Sequence, residues 1–136
     1  MAKVCVRDWM HPGVISCSPD TPVNEVATTI ADHRISALVV IDEAGLAAGV
    51  VSQTDLANAA FVQPYFKYWK GLTARHLMSS PVLSVRPDAP IEEALNLLRE
   101  RKIHRLIVTE PARGGEVPVG IISITDIVTR MEIPHE

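Results

Sequence analysis

The sequence has few cysteines, few aromatic residues and no excess of basic charge, and these shortages exclude several classes of function. Its two cysteines, Cys5 and Cys17, form neither a CxxC pair nor a zinc-ligand set with histidines. We therefore expect two reduced thiols in a cytoplasmic protein. The net charge of -3 and the lack of a basic stripe give no bulk attraction to nucleic acid or anionic lipid, so we expect neither as a partner.

Long apolar runs are missing as well. No run approaches the length that a membrane span needs, and residues 1–5 lack the apolar core of a signal peptide. Apolar residues nevertheless make up 47% of the 136 residues, and charged residues make up 21%. This balance predicts a folded chain with its own core rather than a disordered one.

Catalytic patterns are also absent. Catalysis would need a nucleophile beside a base, a carboxylate dyad or an open metal site. Four histidines are scattered without a visible partner for such chemistry: His11, His33, His76 and His135. The sequence also lacks a Walker loop. We expect no enzyme, no catalytic residue, no metal site and no required cofactor.

Two stretches of the same design dominate what is present: residues 49–55 (GVVSQTD) and 120–126 (GIISITD). Each is predicted to be a short buried strand that starts at its glycine and runs straight into a helix. Hydroxyls and helix N-terminal N–H groups can donate to phosphate oxygens, and a carboxylate can accept from a ribose diol. Alternatively, Thr125 and Asp126 only cap the following helix. Such a cap would not by itself require the serine two residues before Thr125.

The chain contains an internal duplication. Met10 falls on Met78 and Val14 on Val82 at a shift of 68 residues, which becomes 71 at the two glycine stretches. The three extra residues lie between Glu110 and Val117, a segment predicted to be a tolerant turn. We expect one repeat at 6–60, an aromatic linker at 61–73 and a second repeat at 74–131, together forming one module.

Each copy is predicted to have the order β-α-β-β-α. Thr21 is expected to be the N-cap of the first helix, with Pro22 at the first helical position, and the last helices begin near Thr54 and Thr125. The predicted extended segments are 14–16, 37–41, 82–85 and 105–108. Neither half can cover its own sheet, so the predicted fold class is α/β (α+β), with two repeats packed sheet to sheet around a pseudo-twofold axis.

These features together resemble a tandem pair of CBS domains, the modules named after cystathionine β-synthase and known in pairs as Bateman modules. The resemblance covers about residues 6–131. It rests on the two Met-x-x-x-Val-x-Ser openings, the Pro-Asp-x-Pro helix starts, the two stretches above and residues 103–108 (IHRLIV). The resemblance implies a stand-alone regulatory module that binds an adenosine nucleotide of the AMP, ADP or ATP class in clefts between the repeats. It also implies a homodimer.

The resemblance also implies roles for individual residues. Asp126 would bind the ribose diol, Ser123 and Thr125 would face the phosphate, and His104 with Arg105 would grip it. The alternative for the last two is an ordinary exposed basic pair. In the first copy the corresponding residues are Ser52, Thr54 and Asp55, but Ser36 and Ala37 replace the basic pair, so the two clefts should be unequal. Arg34 and Lys102 occupy matching positions in the turns before these residues. They are candidates to bind the phosphate where the basic pair is missing.

The base is expected to lie between strand residues that are otherwise plain core. These are Val14, Ile15 and Ser16 in one cleft, and Val82, Leu83 and Ser84 in the other.

Residues 61–70 hold every Phe and Tyr of the chain and one Trp. This stretch is either a docking or dimer patch, or a linker that buries its rings on the sheets.

The module is expected to signal to a separate protein, an effector in trans. S-adenosylmethionine or an NAD-type ligand, and a ligand-free dimerisation or scaffold module, are the alternative functions.

Overall fold

The computed structural model describes residues 3–61, 71–79 and 83–131. Val82 and most of the aromatic stretch, residues 62–70, lie outside the described residues. The chain forms two compact units, which we name by their repeats. The first unit is 15–82, and the second unit combines 1–14 with 83–136. The segment before each repeat therefore belongs to the unit of the other repeat.

The elements follow the predicted order in both repeats. In chain order they are α1 (Val6–Trp9), β1 (His11–Pro12), β2 (Ser16–Cys17), α2 (Val23–His33), β3 (Ala37–Ile41), β4 (Ala47–Ser52), α3 (Gln53–Phe61), α4 (Ala74–Leu77), β5 (Ser84–Val85), α5 (Ile91–Arg101), β6 (Arg105–Ala112), β7 (Gly115–Ser123) and α6 (Ile124–Arg130). The β-α-β-β-α units run from β2 to α3 and from β5 to α6. The predicted α/β (α+β) class with two such repeats is confirmed.

The two sheets share one plan but differ at their edges. In the first unit the order is β2-β3-β4, and in the second it is β1-β7-β6-β5. The short strands β2 and β5 run parallel to β3 and β6, and each of these pairs antiparallel with the strand after it. The additional strand β1, from the start of the chain, pairs antiparallel with β7.

One apolar face of each long helix covers its sheet, as the helical spacing predicted. The buried residues of α2 are Val23, Val26 and Ile30, and those of α5 are Ile91, Ala94 and Leu98. Val26 and Ile30 pack with strand residues such as Leu38, Val40 and Val51 in the first unit. The three residues of α5 pack with Leu106, Val108 and Ile122 in the second. Each unit therefore has its own hydrophobic core.

The predicted cap of α2 is wrong by one residue. Pro22 is itself the N-cap, with φ -58° and ψ 146°, and the helix begins at Val23. The proline ring fixes φ but leaves ψ extended, so Pro22 stays outside the helix. The Thr21 hydroxyl instead accepts a hydrogen bond from the Ser18 N–H at 3.0 Å, which closes the turn before the helix.

The predicted loop between Glu110 and Val117 is also wrong. Strand β6 continues to Ala112 and β7 begins at Gly115. The three residues that the second copy has in addition therefore lengthen the β6–β7 hairpin, and only residues 113–114 form the turn. Gly114 has a φ of +87°, the left-handed conformation that such a turn needs. Pairing satisfies backbone groups that a loop would leave to water.

Gly49 and Gly120, the first residues of the stretches 49–55 and 120–126, lie within strands β4 and β7. The prediction that each strand starts at its glycine is therefore wrong. A Cβ on Gly120 would lie 2.6 Å from the carbonyl oxygen of His11 and 2.8 Å from the Met10 sulfur. A Cβ on Gly49 would lie 2.9 Å from the Ser79 carbonyl oxygen. Both glycines are thus explained by close backbone approach of a neighbouring segment.

Strand β5 is tied to the β6–β7 hairpin by a group of polar side chains around Glu116. Its Oε1 accepts from Arg86 Nη1 at 2.6 Å, from the Ser84 hydroxyl at 3.1 Å and from the Thr109 hydroxyl. These donors, with that of Thr109 contributing most, lower the pKa of Glu116 below the ordinary value of 4.5. The lowered pKa links this polar group to the stability of the second unit.

Replacing Gly120 with alanine should destabilise the protein by about 1–3 kcal/mol, because the new methyl group meets backbone that cannot rotate away. Urea denaturation measures this loss, and Gly49→Ala should behave similarly. Gly71 is the matched control, because a Cβ there meets nothing within 4 Å. Equal stabilities of Gly120→Ala and Gly71→Ala would contradict the close approach.

The stability of the protein should depend on the ionisation of Glu116. A carboxyl with a lowered pKa in the folded state stabilises the fold above its unfolded pKa, and this contribution is lost as pH falls through the folded pKa. Wild-type stability should therefore fall more steeply than that of Glu116→Gln as pH drops from 5 to 3. Urea titrations at several pH values measure this, with Glu110→Gln, an exposed neighbour on β6, as control. Parallel curves for the wild type and Glu116→Gln would rule out this role.

Candidate functional site

The carboxylate of Asp126 lies at the junction of β7 and α6. The Ser123 hydroxyl accepts the Asp126 N–H at 3.1 Å, and Asp126 Oδ2 accepts the Ser123 N–H at 2.9 Å. This reciprocal pair is a capping box, with Ser123 as the N-cap and Asp126 three residues later. Asp126 is buried, with 8% of its surface exposed.

The first unit repeats this arrangement. The Ser52 hydroxyl accepts the Asp55 N–H at 3.1 Å, and Asp55 Oδ2 accepts the Ser52 N–H at 2.8 Å. The argument that a cap does not require the serine is therefore wrong, because the serine itself is the capping residue. Thr54 and Thr125 are exposed. Since each box uses only Oδ2 of the aspartate, it leaves Oδ1 for other partners.

His11 holds the second oxygen of Asp126. Its Nε2 lies 2.8 Å from Asp126 Oδ1, where a ring N–H donates to the carboxylate. The histidine side chain is 73% exposed, while that of Asp126 is 11% exposed. Sequence reasoning missed this residue and gave it no partner. The only available signal was that Met10 matches Met78, which puts Ser79 at the corresponding position of the other copy.

The basic pair lies at the same end of the sheet as Asp126. Arg105, the first residue of β6, is the direct partner of Ser123 on β7 and is half-buried. His104 is exposed, and its carbonyl oxygen accepts the Ile124 N–H at 2.9 Å. A guanidinium and an imidazole are thus anchored beside the capping box, where they can donate to an anionic group.

The corresponding positions of the first unit carry no charge. Ala37 is the partner of Ser52, and the Ser36 carbonyl accepts the Gln53 N–H at 2.9 Å. The backbone is therefore equivalent, while the basic side chains are lost. Arg34 and Lys102 are the C-caps of α2 and α5. Both adopt the left-handed conformation, with φ of 54° and 55°.

The predicted lining residues separate into different environments. The Ser84 hydroxyl is bound by Glu116, while the Ser84 backbone pairs with Ile107, two residues along β6 from Arg105. Ile15 packs against the core of the first unit, as the plain-core alternative proposed. Ser16 and Leu83 are exposed. The structure thus brings Ser123, Asp126 and Arg105 together, and it places Ser84 beside β6, level with Ile107 and Ile121.

Other kinds of site have no support in the described residues. Within 3–61, 71–79 and 83–131, no three His, Cys, Asp or Glu side chains are placed to hold a metal ion. Every helix in those ranges is too short or too polar to cross a membrane. Cys5 and Cys17 are both free thiols, and burial raises the pKa of Cys17.

Solved structures with the same fold include a protein bound to AMP. CBSX2 in complex with AMP is 30% identical, with a TM-score of 0.79, and the match covers 92% of this chain and 93% of that one. The CBS domain pair of protein MJ0100, in complex with 5′-methylthioadenosine and S-adenosyl-L-methionine, has a TM-score of 0.78 over 94% of this chain and 95% of that one. Its identity of 22% shows the fold alone.

Two curated relatives are much longer than this chain. Inosine-5′-monophosphate dehydrogenase of Thermoplasma acidophilum is 30% identical over 131 residues, which are 96% of this chain and 23% of that protein. The 5′-AMP-activated protein kinase subunit gamma-3 of Bos taurus is 29% identical over 111 residues, which are 79% of this chain and 22% of that protein. The chain therefore spans less than a quarter of either relative.

The family model of the CBS domain matches residues 6–61 and again residues 74–133. These ranges contain both β-α-β-β-α units and both capping carboxylates. The chain belongs to the CBS-domain family and carries two copies of the domain.

Proposed function

We propose that this protein is a regulatory module that binds an adenosine nucleotide of the AMP, ADP or ATP class beside its capping carboxylates. The observation that carries the proposal is the geometry at Asp126, whose carboxylate is fixed through Oδ2 while Oδ1 takes an exchangeable partner. A carboxylate oxygen in that position accepts the hydroxyl hydrogens of a ribose diol well. Similarity to a protein solved with AMP supports the same ligand class.

Arg105 and His104 supply the phosphate side of the proposal. Arg105 lies directly across from the Ser123 cap, so a nucleotide whose ribose reaches Asp126 would direct its phosphate toward a guanidinium. The first unit offers Asp55 without this pair. We therefore assign the stronger phosphate interaction to the second unit.

The protein is proposed to sense its ligand rather than transform it. A partner in trans would read a shift between conformations that bind the nucleotide with different affinity. The homodimer, the cytoplasmic location and the effector stay predictions.

The proposal is tested by thermal unfolding with AMP, ADP, ATP, NAD and S-adenosylmethionine. A ligand that binds only the folded protein stabilises it by about 2.7 kcal/mol at a hundredfold excess over Kd, which is a rise of about 5–10 °C in Tm. Asp126→Ala should abolish or halve the rise, and Asp55→Ala should remove the remainder. Because both substitutions also break a capping box, the ligand-induced change in Tm is compared, not Tm itself.

The outcomes separate the candidate functions. A rise with S-adenosylmethionine alone would assign the site to that ligand, since it offers an adenosine without phosphate. No rise in Tm with any compound would favour a ligand-free dimerisation or scaffold module. The first unit supports this alternative in one respect, because it has Ser36 and Ala37 where the second unit has a basic pair. A rise that neither aspartate substitution reduces would contradict the proposed site.

Signalling by a change of conformation has its own test. Small-angle scattering profiles with and without a saturating concentration of the stabilising ligand should differ. Identical profiles would contradict a global conformational change while leaving ligand binding intact.

A further inference from the structure

The two capping carboxylates differ in what holds their second oxygen. Asp126 Oδ1 is bound by His11 at 2.8 Å. Among the residues described in the first unit, no side chain forms a hydrogen bond or ion pair with Asp55 Oδ1. Ser79 stands where His11 would be in that unit, and its backbone pairs with Val50. The asymmetry therefore lies in one side chain on otherwise equivalent edge segments.

His11 belongs to a short segment at the exposed edge of its sheet. Strand β1 is two residues long and lies at the edge, where His11 pairs with Ile121 and Pro12 with Gly120. The Gly13 N–H donates to the Val119 carbonyl at 2.7 Å. All three residues of this edge segment, 11–13, are exposed. Segments with few buried contacts and exposed hydrogen bonds are the first to open locally.

His11 and a ribose compete for the Oδ1 side of Asp126. The Ser123 N–H takes one acceptor direction of Oδ2 and the imidazole takes one of Oδ1, so a diol that uses both oxygens meets fewer free directions while His11 is in place. The imidazole lies at hydrogen-bond distance on that side. Because the histidine is mostly exposed, displacing it costs little, comparable to breaking a surface ion pair.

We propose that His11 is an affinity-determining residue that competes with the ribose for Asp126, so that ligand binding at this carboxylate removes one of the contacts that hold the edge segment 11–13 on β7. This inference rests on the proposed function. It makes ligand affinity and attachment of the edge segment reciprocally linked, since each weakens the other by the same factor. Asp55 binds its ligand without this competition.

The contact of His11 is tested first without ligand. Hydrogen exchange of the Gly13 amide, followed by NMR, should be about two- to fivefold faster in His11→Ser than in the wild type, the size expected for a mostly exposed ion pair. Serine is the native residue at the matching position, Ser79. His33→Ser, which removes an exposed histidine of the first unit, is the control and should leave the Gly13 rate unchanged. Equal rates in His11→Ser and the wild type would overturn the inference.

The competition is tested with AMP in a protein that retains only the Asp126 site. In the Asp55→Ala background, His11→Ser should bind AMP about two- to fivefold more tightly by calorimetry, while His33→Ser should not change the affinity. AMP should also accelerate Gly13 exchange when His11 is present and leave it unchanged in His11→Ser. Unchanged or weaker AMP binding by His11→Ser would overturn the inference.

Failure of the proposed function has a different signature. If the Asp55→Ala protein binds AMP normally but is indifferent to His11→Ser, only the competition is wrong. If neither this protein nor the wild type binds any adenosine compound, the proposed function fails and the affinity role of His11 fails with it.

Discussion

Close backbone contact between a glycine and a neighbouring edge segment governs the arrangement of each unit. In the second unit the His11 carbonyl passes so near Gly120 that no side chain fits there, and Ser79 does the same at Gly49. Both edge segments come from outside the β-α-β-β-α repeat that they complete. The contact therefore ties the start of the chain to its last strand, and it places the His11 side chain near Asp126.

One set of residues serves both helix formation and the proposed ligand site. The Ser123 hydroxyl accepts the Asp126 N–H of α6, and one carboxylate oxygen of Asp126 accepts the Ser123 N–H. The other oxygen remains for an exchangeable partner, so a cap and a sugar site are compatible on the same side chain. A rigidly held carboxylate also loses little freedom on binding, which favours affinity.

The two units have diverged in complementary ways around a common backbone. The second unit has Arg105 beside its cap, while the first has Ala37 at that position. The second unit also has His11 on its carboxylate, whereas Ser79 stands at the matching position of the first unit. In the proposed site, Arg105 would strengthen the phosphate interaction while His11 would compete with the ribose, so the two differences would act on ligand affinity in opposite directions.

The sequence by itself determined the duplication, the order of elements and the pattern of Ser and Asp at the strand–helix junctions, because these follow from local periodicity and spacing. It misjudged the Glu110–Val117 segment, since cross-strand pairing outweighed the local turn residues. Only the tertiary structure decided that Ser84 faces Glu116 and that His11 reaches Asp126. The last contact joins residues more than a hundred positions apart, and no local propensity encodes such a distance; it exists because β1 pairs with β7.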